Sequence, residues 1–200
     1  MTIDKSFTSW HVGVAAEAIA AGLFARCGLD VSVQYGANQP EYDLLVARKN
    51  GKADEILKIS VKGSKDDSWG LTQSFLSKRA DKSIPPDYLK AADSWLATHS
   101  ERTVLCLVQF YGTTLTQMPR VYLATAKEVA NKLKATSKGR GDTILYERKV
   151  WTSRAFGAGT VDELPASWAF RKERVEELFT QLFQSQNTFH PLMQVVNAGS

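Results

Sequence analysis

Three residues in the first third of the chain, Glu17, Asp43 and Lys62, could together act on a phosphate ester. Carboxylates hold hard divalent cations such as Mg²⁺, and a lysine can orient a water molecule and offset negative charge that develops during hydrolysis. These residue types act together only if the fold brings them to one place. The elements that carry them therefore decide whether the chemistry is available.

Glu17 lies in a predicted helix that spans residues 6–26. It is the only formal charge between positions 12 and 25. The apolar residues that recur at helical spacing on the expected buried face are Val12, Ala16, Ile19 and Leu23. A carboxylate on such a helix either points to solvent or meets a cationic partner, because burying it alone is costly. The presence of Asp43 and Lys62 downstream favours the second interpretation.

Asp43 and Lys62 lie on two predicted strands, 42–46 and 56–63. In a β-strand, successive side chains point alternately to the two faces of the sheet. Leu57, Ile59 and Val61 form one set, and Lys58, Ser60 and Lys62 form the other. Asp43 has to face the same side as the second set for the three side chains to meet.

Asn50-Gly51 between the two strands predicts a tight hairpin, since both residues accept the positive φ of such turns. With these two residues as the turn, Asp43 lies opposite Lys58. If the loop instead spans 49–54, Asp43 lies opposite Ser60. Either register leaves Asp43 about 5 to 8 Å from Ser60 between side-chain roots.

The order of these elements resembles the PD-(D/E)XK nuclease-like superfamily, also called restriction endonuclease-like. Glu17 matches the helix glutamate of that pattern, Asp43 the PD aspartate, and residues 60–62 the (D/E)-x-K triplet. The motifs cover about residues 7–62, and the later elements up to about Phe183 are compatible with the same core. Tyr42 replaces the proline of the pattern. Ser60 replaces the usual acidic residue, which removes one expected metal ligand.

This resemblance implies an α/β fold, with one domain over residues 1–200 and a mixed central β-sheet flanked by helices; residues 185–200 would be a C-terminal extension. It also implies a nuclease, either an endonuclease or an exonuclease, with Mg²⁺ or Mn²⁺ as cofactor. Asp43 would hold the ion directly and Glu17 through water, while the Val61 carbonyl and the Ser60 hydroxyl would add oxygen ligands. Lys62 would orient the attacking water.

Two alternatives stay open. The loss of an acidic ligand at Ser60 is typical of a catalytically inactive nuclease-fold protein that binds or regulates a partner. The third possibility is an unrelated α/β domain in which the Ser60-Val61-Lys62 triplet is coincidental, and there Glu17, Asp43 and Lys62 would lie far apart.

The composition is that of a soluble domain. Two hundred residues with 44% hydrophobic content are enough for a core, and no apolar stretch is long enough to span a membrane. The start of the chain has no secretory signal, so we expect a cytoplasmic protein with no membrane partner. Cys27 and Cys106 lack metal-binding spacing and are expected to be buried, reduced thiols.

The rest of the chain alternates between predicted strands and helices, which favours a sheet of mixed strand directions. The predicted strands are 31–35, 103–111 and 120–124. The predicted helices are 71–79, 87–98 with Asp87 as its cap, 126–135 with Thr125 as its cap, and 171–184.

A basic strip in the second half of the chain surrounds Trp151. Its residues are Lys132, Lys134, Lys138, Arg140, Lys149 and Arg154. Positive charge with an interleaved aromatic suits a nucleic-acid backbone, although lysine-rich loops also serve solubility. Nucleic acid, with DNA expected over RNA, is therefore the predicted partner, and a homodimer is left open as a way to cut two strands.

Overall fold

The computed structural model describes residues 6–34, 41–51, 53–77 and 85–184. The helices are α1 (Ser9–Arg26), α2 (Tyr88–Leu96), α3 (Ala126–Ala135) and α4 (Lys172–Gln184). The strands are β1 (Asp30–Val33), β2 (Leu44–Asn50), β3 (Ala53–Ser64), β4 (Ser68–Gly70), β5 (Thr103–Gln109), β6 (Arg120–Thr125), β7 (Ile144–Tyr146), β8 (Arg148–Val150) and β9 (Val161–Glu163). Short 3-10 helices occupy Gln73–Phe75 and Ala166–Trp168.

Five strands form the central sheet in the order β1-β2-β3-β5-β6. The β3–β5 pair is parallel, and the other pairs are antiparallel. Helices cover both faces, so β5, which lies between β3 and β6, is buried along its whole length. The prediction of a mixed α/β sheet flanked by helices is therefore confirmed.

The two faces of the central sheet pack against different helices. Leu57, Ile59 and Val61 belong to the core beneath α1 and α4. The opposite face belongs to a second core, which contains Trp95 of α2 and Leu133 of α3. The alternation predicted for β3 is confirmed, and it directs Ser60 and Lys62 away from α1.

The hairpin between β2 and β3 decides the register that the sequence left open. The last pair before the turn is Asn50 with Ala53, one residue later than a turn centred on Asn50 and Gly51 would give. Gly51 has a φ of 65°, which suits glycine. Leu44 consequently pairs with Ile59, and the same register continued by one residue sets Asp43 opposite Ser60.

Several boundaries differ from the predictions. α1 begins at Ser9, and its buried residues are Val12, Ala16, Ala20 and Phe24, whereas Ile19 and Leu23 are only partly buried. Instead of a helix over 71–79 there is a single 3-10 turn, and 78–79 lie outside the described residues. The proposed C-terminal extension, 185–200, also lies outside them.

Two small sheets were not predicted. β4 pairs with β7, and β8 pairs with β9. Their strands have three residues each, too short for an alternating pattern to stand out. Within the described parts of the chain, no helix is long and apolar enough to cross a membrane.

Candidate active site

Asp43 is held against β3 by two hydrogen bonds. Its backbone N–H donates to the Ile59 carbonyl at 2.8 Å. Its carboxylate Oδ2 accepts from the Val61 N–H at 2.6 Å. These two peptide groups flank Ser60, so the carboxylate is fixed beside the Ser60-Val61-Lys62 triplet. A carboxylate has about four lone-pair sites, so this hydrogen bond leaves acceptor capacity for a cation.

The Val61 carbonyl faces the same gap in the sheet. In a strand, the N–H and the C=O of one residue point to the same side, which is why paired residues exchange both bonds. The Val61 N–H points toward Asp43. The β2–β3 ladder ends at the pair Leu44–Ile59, so Val61 lies beyond it. The end of β2 thus leaves a backbone oxygen beside the Asp43 carboxylate.

Asp43, Ser60 and Lys62 line one cavity of about 290 Å³. Ser60 is 4% exposed, whereas Lys62 is exposed to solvent. The backbone that carries Lys62 is fixed by Trp69, whose indole Nε1 donates to the Lys62 carbonyl at 2.8 Å. The triplet therefore has a buried neutral hydroxyl and a solvent-facing ammonium on one face of β3.

Glu17 reaches this site from the other face of the sheet. α1 crosses β3 closely at Gly63, where an added Cβ would lie 2.8 Å from both Cγ1 and the carbonyl oxygen of Val12. Glu17 is half-buried. Burial, and next the charge of Asp43, raise the pKa of Glu17, and the charge of Lys62 acts in the opposite direction. Glu17 therefore lies within electrostatic range of both residues, although it does not line the cavity.

The candidate oxygen donors are the Asp43 carboxylate, the Ser60 hydroxyl and the Val61 carbonyl, with the Glu17 carboxylate outside the cavity. Among the described residues, no group of three or more His, Cys, Asp or Glu side chains could hold a metal ion. Mg²⁺ often needs only one or two carboxylates because it keeps several waters. The set therefore fits an oxygen-ligated cation, with fewer charged ligands than the (D/E)-x-K pattern supplies.

The basic strip is largely engaged in contacts within the protein. Lys132 pairs with Asp162 at 3.6 Å, and Lys134 pairs with Asp93. Lys138 donates to the Ala158 carbonyl at 3.1 Å. These contacts hold the strip against its neighbours and neutralise part of its charge.

The remaining members of the strip contact aromatic rings or solvent. Arg140 lies over the rings of Tyr88 and Phe156, at 5.5 and 5.3 Å. Lys149 lies 5.1 Å from the Tyr146 ring and 5.8 Å from the Trp151 ring, and Arg154 is exposed. A role for the strip in binding nucleic acid stays a prediction.

The structure contains a second charged cluster that was not predicted from the sequence. The guanidinium of Arg120 donates to both carboxylate oxygens of Glu147, at 2.6 and 2.7 Å, and the Tyr122 hydroxyl donates to the same carboxylate at 2.5 Å. Asp67 lies beside Glu147, and burial followed by its hydrogen bond to Glu147 raises the pKa of Asp67. These residues come from β6 and two loops, so their spacing along the sequence does not indicate that they lie together.

Comparisons with known proteins are sparse. No family model and no curated protein matches the chain. Among solved structures, the chain is similar to a bacterial homing endonuclease, I-Ssp6803I, with a TM-score of 0.42 and 12% identity; the match covers 91% of this chain and 97% of that chain. A likeness this distant does not indicate an activity for this chain.

Proposed function

We propose that this protein is a metal-dependent nuclease that hydrolyses phosphodiester bonds, with DNA as the expected substrate, through Glu17, Asp43 and Lys62. One observation carries the proposal. Asp43 and Lys62 line one cavity. Glu17 comes from a helix on the opposite face of the sheet, and the charges of both residues contribute to its pKa. In an unrelated fold with a coincidental triplet, these three residues would be expected to lie far apart.

Each residue has a role that its surroundings support. Asp43 supplies the fixed carboxylate, the Val61 carbonyl and the Ser60 hydroxyl supply neutral oxygens, and Glu17 adds a second carboxylate through water. When bound, Mg²⁺ or Mn²⁺ would polarise the phosphate and stabilise the charge that develops on it. Lys62, which is exposed to solvent, can orient a water molecule and offset that charge.

A second candidate function is favoured by Ser60. A buried neutral hydroxyl in place of an acidic side chain supplies weaker cation binding, as expected of an inactive nuclease-fold protein that binds or regulates a partner. The retention of Asp43, Lys62 and Glu17 together favours the enzyme. In either case Lys138, Arg140 and Arg154, the exposed members of the strip, are the candidates for contact with a nucleic-acid backbone.

The test is cleavage of supercoiled plasmid, single-stranded DNA and RNA with Mg²⁺ or Mn²⁺, beside a chelator control. Replacing Lys62 by Ala should lower the cleavage rate by about a hundredfold or more, the usual range for a group that assists proton transfer. Lys127→Ala, an exposed lysine of α3, is the matched control and should cut at the wild-type rate. Direct linearisation of plasmid, rather than nicking, is the outcome expected of a homodimer.

Two results would contradict the nuclease. Clean wild-type protein that cuts none of these substrates with either metal would replace the enzyme by the binding protein. Cutting that persists unchanged in Lys62→Ala would show that hydrolysis, if it belongs to this chain, uses another site.

A further inference from the structure

The cavity beside Asp43 and Lys62 has aromatic walls. Tyr42, Phe75 and Trp95 line it, and their rings come from three separate segments of the chain. Its volume of about 290 Å³ is just below the roughly 300–1,000 Å³ that is usual for small-molecule sites. A small, aromatic-lined cavity of this kind suits one planar ring system.

The charges on the wall do not favour a phosphate inside the cavity. Glu41 and Asp43 are acidic, and Lys62 is the basic residue among those that line the cavity. Lys58 lies nearby, but it pairs with Glu41 at 3.3 Å and lies 5.3 Å from the Tyr42 ring. Without an excess of positive charge, the interior suits a flat, neutral group.

Two polar side chains could contact the edge of such a group. His99 lines the cavity, and its Nδ1 lies 2.9 Å from the Trp95 carbonyl. A carbonyl only accepts, so Nδ1 carries a proton, and in the neutral ring Nε2 is a free acceptor. Burial lowers the pKa of His99, which favours the neutral ring. Thr98 also lines the cavity; its hydroxyl donates to the Trp95 carbonyl at 2.7 Å, so it is an acceptor for a ligand.

We propose that this cavity binds one unpaired nucleobase next to the phosphate on which Asp43 and Lys62 act. The substrate class is then single-stranded nucleic acid, or a duplex that presents an unpaired nucleotide. The inference rests on the proposed function, because it is the nuclease site that brings a nucleotide to this wall. Stacking of bases on aromatic side chains tolerates any base sequence, whereas a paired base would first have to be extruded at a cost of a few kcal/mol.

The experiment measures binding without cleavage. Fluorescence anisotropy in a chelator compares labelled dT12, a chain of the same length built from abasic deoxyribose phosphates, and a duplex of the same length. The abasic chain keeps the phosphates and removes the bases, so the difference isolates the cavity. We expect dT12 to bind at least about tenfold more tightly than both other probes, from stacking of a single base.

Variants locate the effect in the cavity. Tyr42→Leu and Phe75→Leu keep apolar bulk and remove a ring, and each should weaken dT12 binding by about five- to tenfold. Tyr42→Phe retains the ring and should bind like the wild type. Tyr111→Leu removes an aromatic ring that is 53% exposed on the β5–β6 connection, outside the cavity, and is the matched control.

The outcomes separate this proposal from the nuclease assignment. Equal binding of dT12 and the abasic chain, or no effect of the two leucine variants, overturns the cavity proposal even if cleavage that depends on Lys62 is observed. Base-dependent binding that is lost in the leucine variants supports it. If that binding occurs in a protein that cuts nothing, the cavity proposal survives and the nuclease assignment fails.

Discussion

In two clusters of acidic side chains, the pKa of a glutamate is shifted in opposite directions. At Glu147, a bidentate guanidinium and a phenol surround the carboxylate, so hydrogen bonds outweigh burial and the net pKa of Glu147 is lowered. At Glu17, burial and the neighbouring Asp43 outweigh Lys62, so the pKa is raised. In the first cluster a guanidinium is bound directly to the Glu147 carboxylate, whereas in the second the charge of Lys62 does not offset the effects of burial and of Asp43 on Glu17.

The difference indicates what each cluster is for. A buried carboxylate paired with Arg120 is a structural contact, and it ties β6 to the connection between β7 and β8. Two carboxylates near each other with one exposed lysine would lower their energy by taking up a cation from solution. Substitutions that remove or add charge at each cluster in turn test this difference.

The largest effect is expected from Asp43→Asn. The amide oxygen can still accept from the Val61 N–H, but the charge that would hold a cation is gone. Cleavage should fall by about a hundredfold or more, while the melting temperature, measured by circular dichroism, changes little. Asp54→Asn, on the exposed hairpin end of β3, is the control and should be unaffected. Full activity in Asp43→Asn would remove Asp43 from the site.

The opposite pattern is expected from Glu147→Ala. It leaves the Arg120 guanidinium and the Tyr122 hydroxyl without their partner, so the free energy of unfolding in urea should fall by about 1–3 kcal/mol. Cleavage per folded molecule should stay within about twofold. Glu163→Ala removes an ion pair whose side chains are 60% and 63% exposed, and it should be nearly silent. A large loss of cleavage by folded Glu147→Ala would mean that the two clusters are not separate.

Ser60→Asp adds a negative charge to the cluster of Glu17, Asp43 and Lys62. The Mg²⁺ concentration for half-maximal cleavage should fall by about tenfold because a further carboxylate joins the site. In chelator the melting temperature should fall, since the new charge is buried opposite Asp43. Ser64→Asp, on the same face of β3, should destabilise without changing metal dependence. Cleavage that appears only in Ser60→Asp would identify the natural chain as an inactive binding protein.

The smallest effect concerns Glu17→Gln and has a pH signature. Because the folded-state pKa of Glu17 is raised, the folded state holds this proton more tightly than the unfolded state does. Its contribution to stability is therefore complete below the unfolded pKa and is lost as pH rises through the folded pKa. Glu17→Gln should melt slightly higher than wild type at pH 7, and the gap should close near pH 4. If Glu17→Gln melted at a lower temperature than the wild type at pH 7, the charge of Glu17 would have to be neutralised in the folded protein.

Elements with strong local signals were predicted closely from the sequence. The helix over 126–135 has the expected bounds, and Thr125 and Glu128 form its capping box. Asp87 caps α2 by accepting from the Lys90 N–H at 2.9 Å. Capping and the continuous apolar run of β5 depend on neighbours in the chain, so they could be read without the fold. The 71–79 helix failed because its pattern was short and weak.

The sequence by itself determined which residue types are available and on which elements they lie: a glutamate on a helix, an aspartate before one strand, and Ser60-Val61-Lys62 on the next. How these residues meet depends on the tertiary structure. A one-residue shift of the turn selects the register that sets Asp43 opposite Ser60, and the absence of a side chain at Gly63 lets α1 approach β3. The aromatic cavity and the Arg120–Glu147 cluster are assembled from distant segments, since packing, and not spacing along the chain, brings their side chains together.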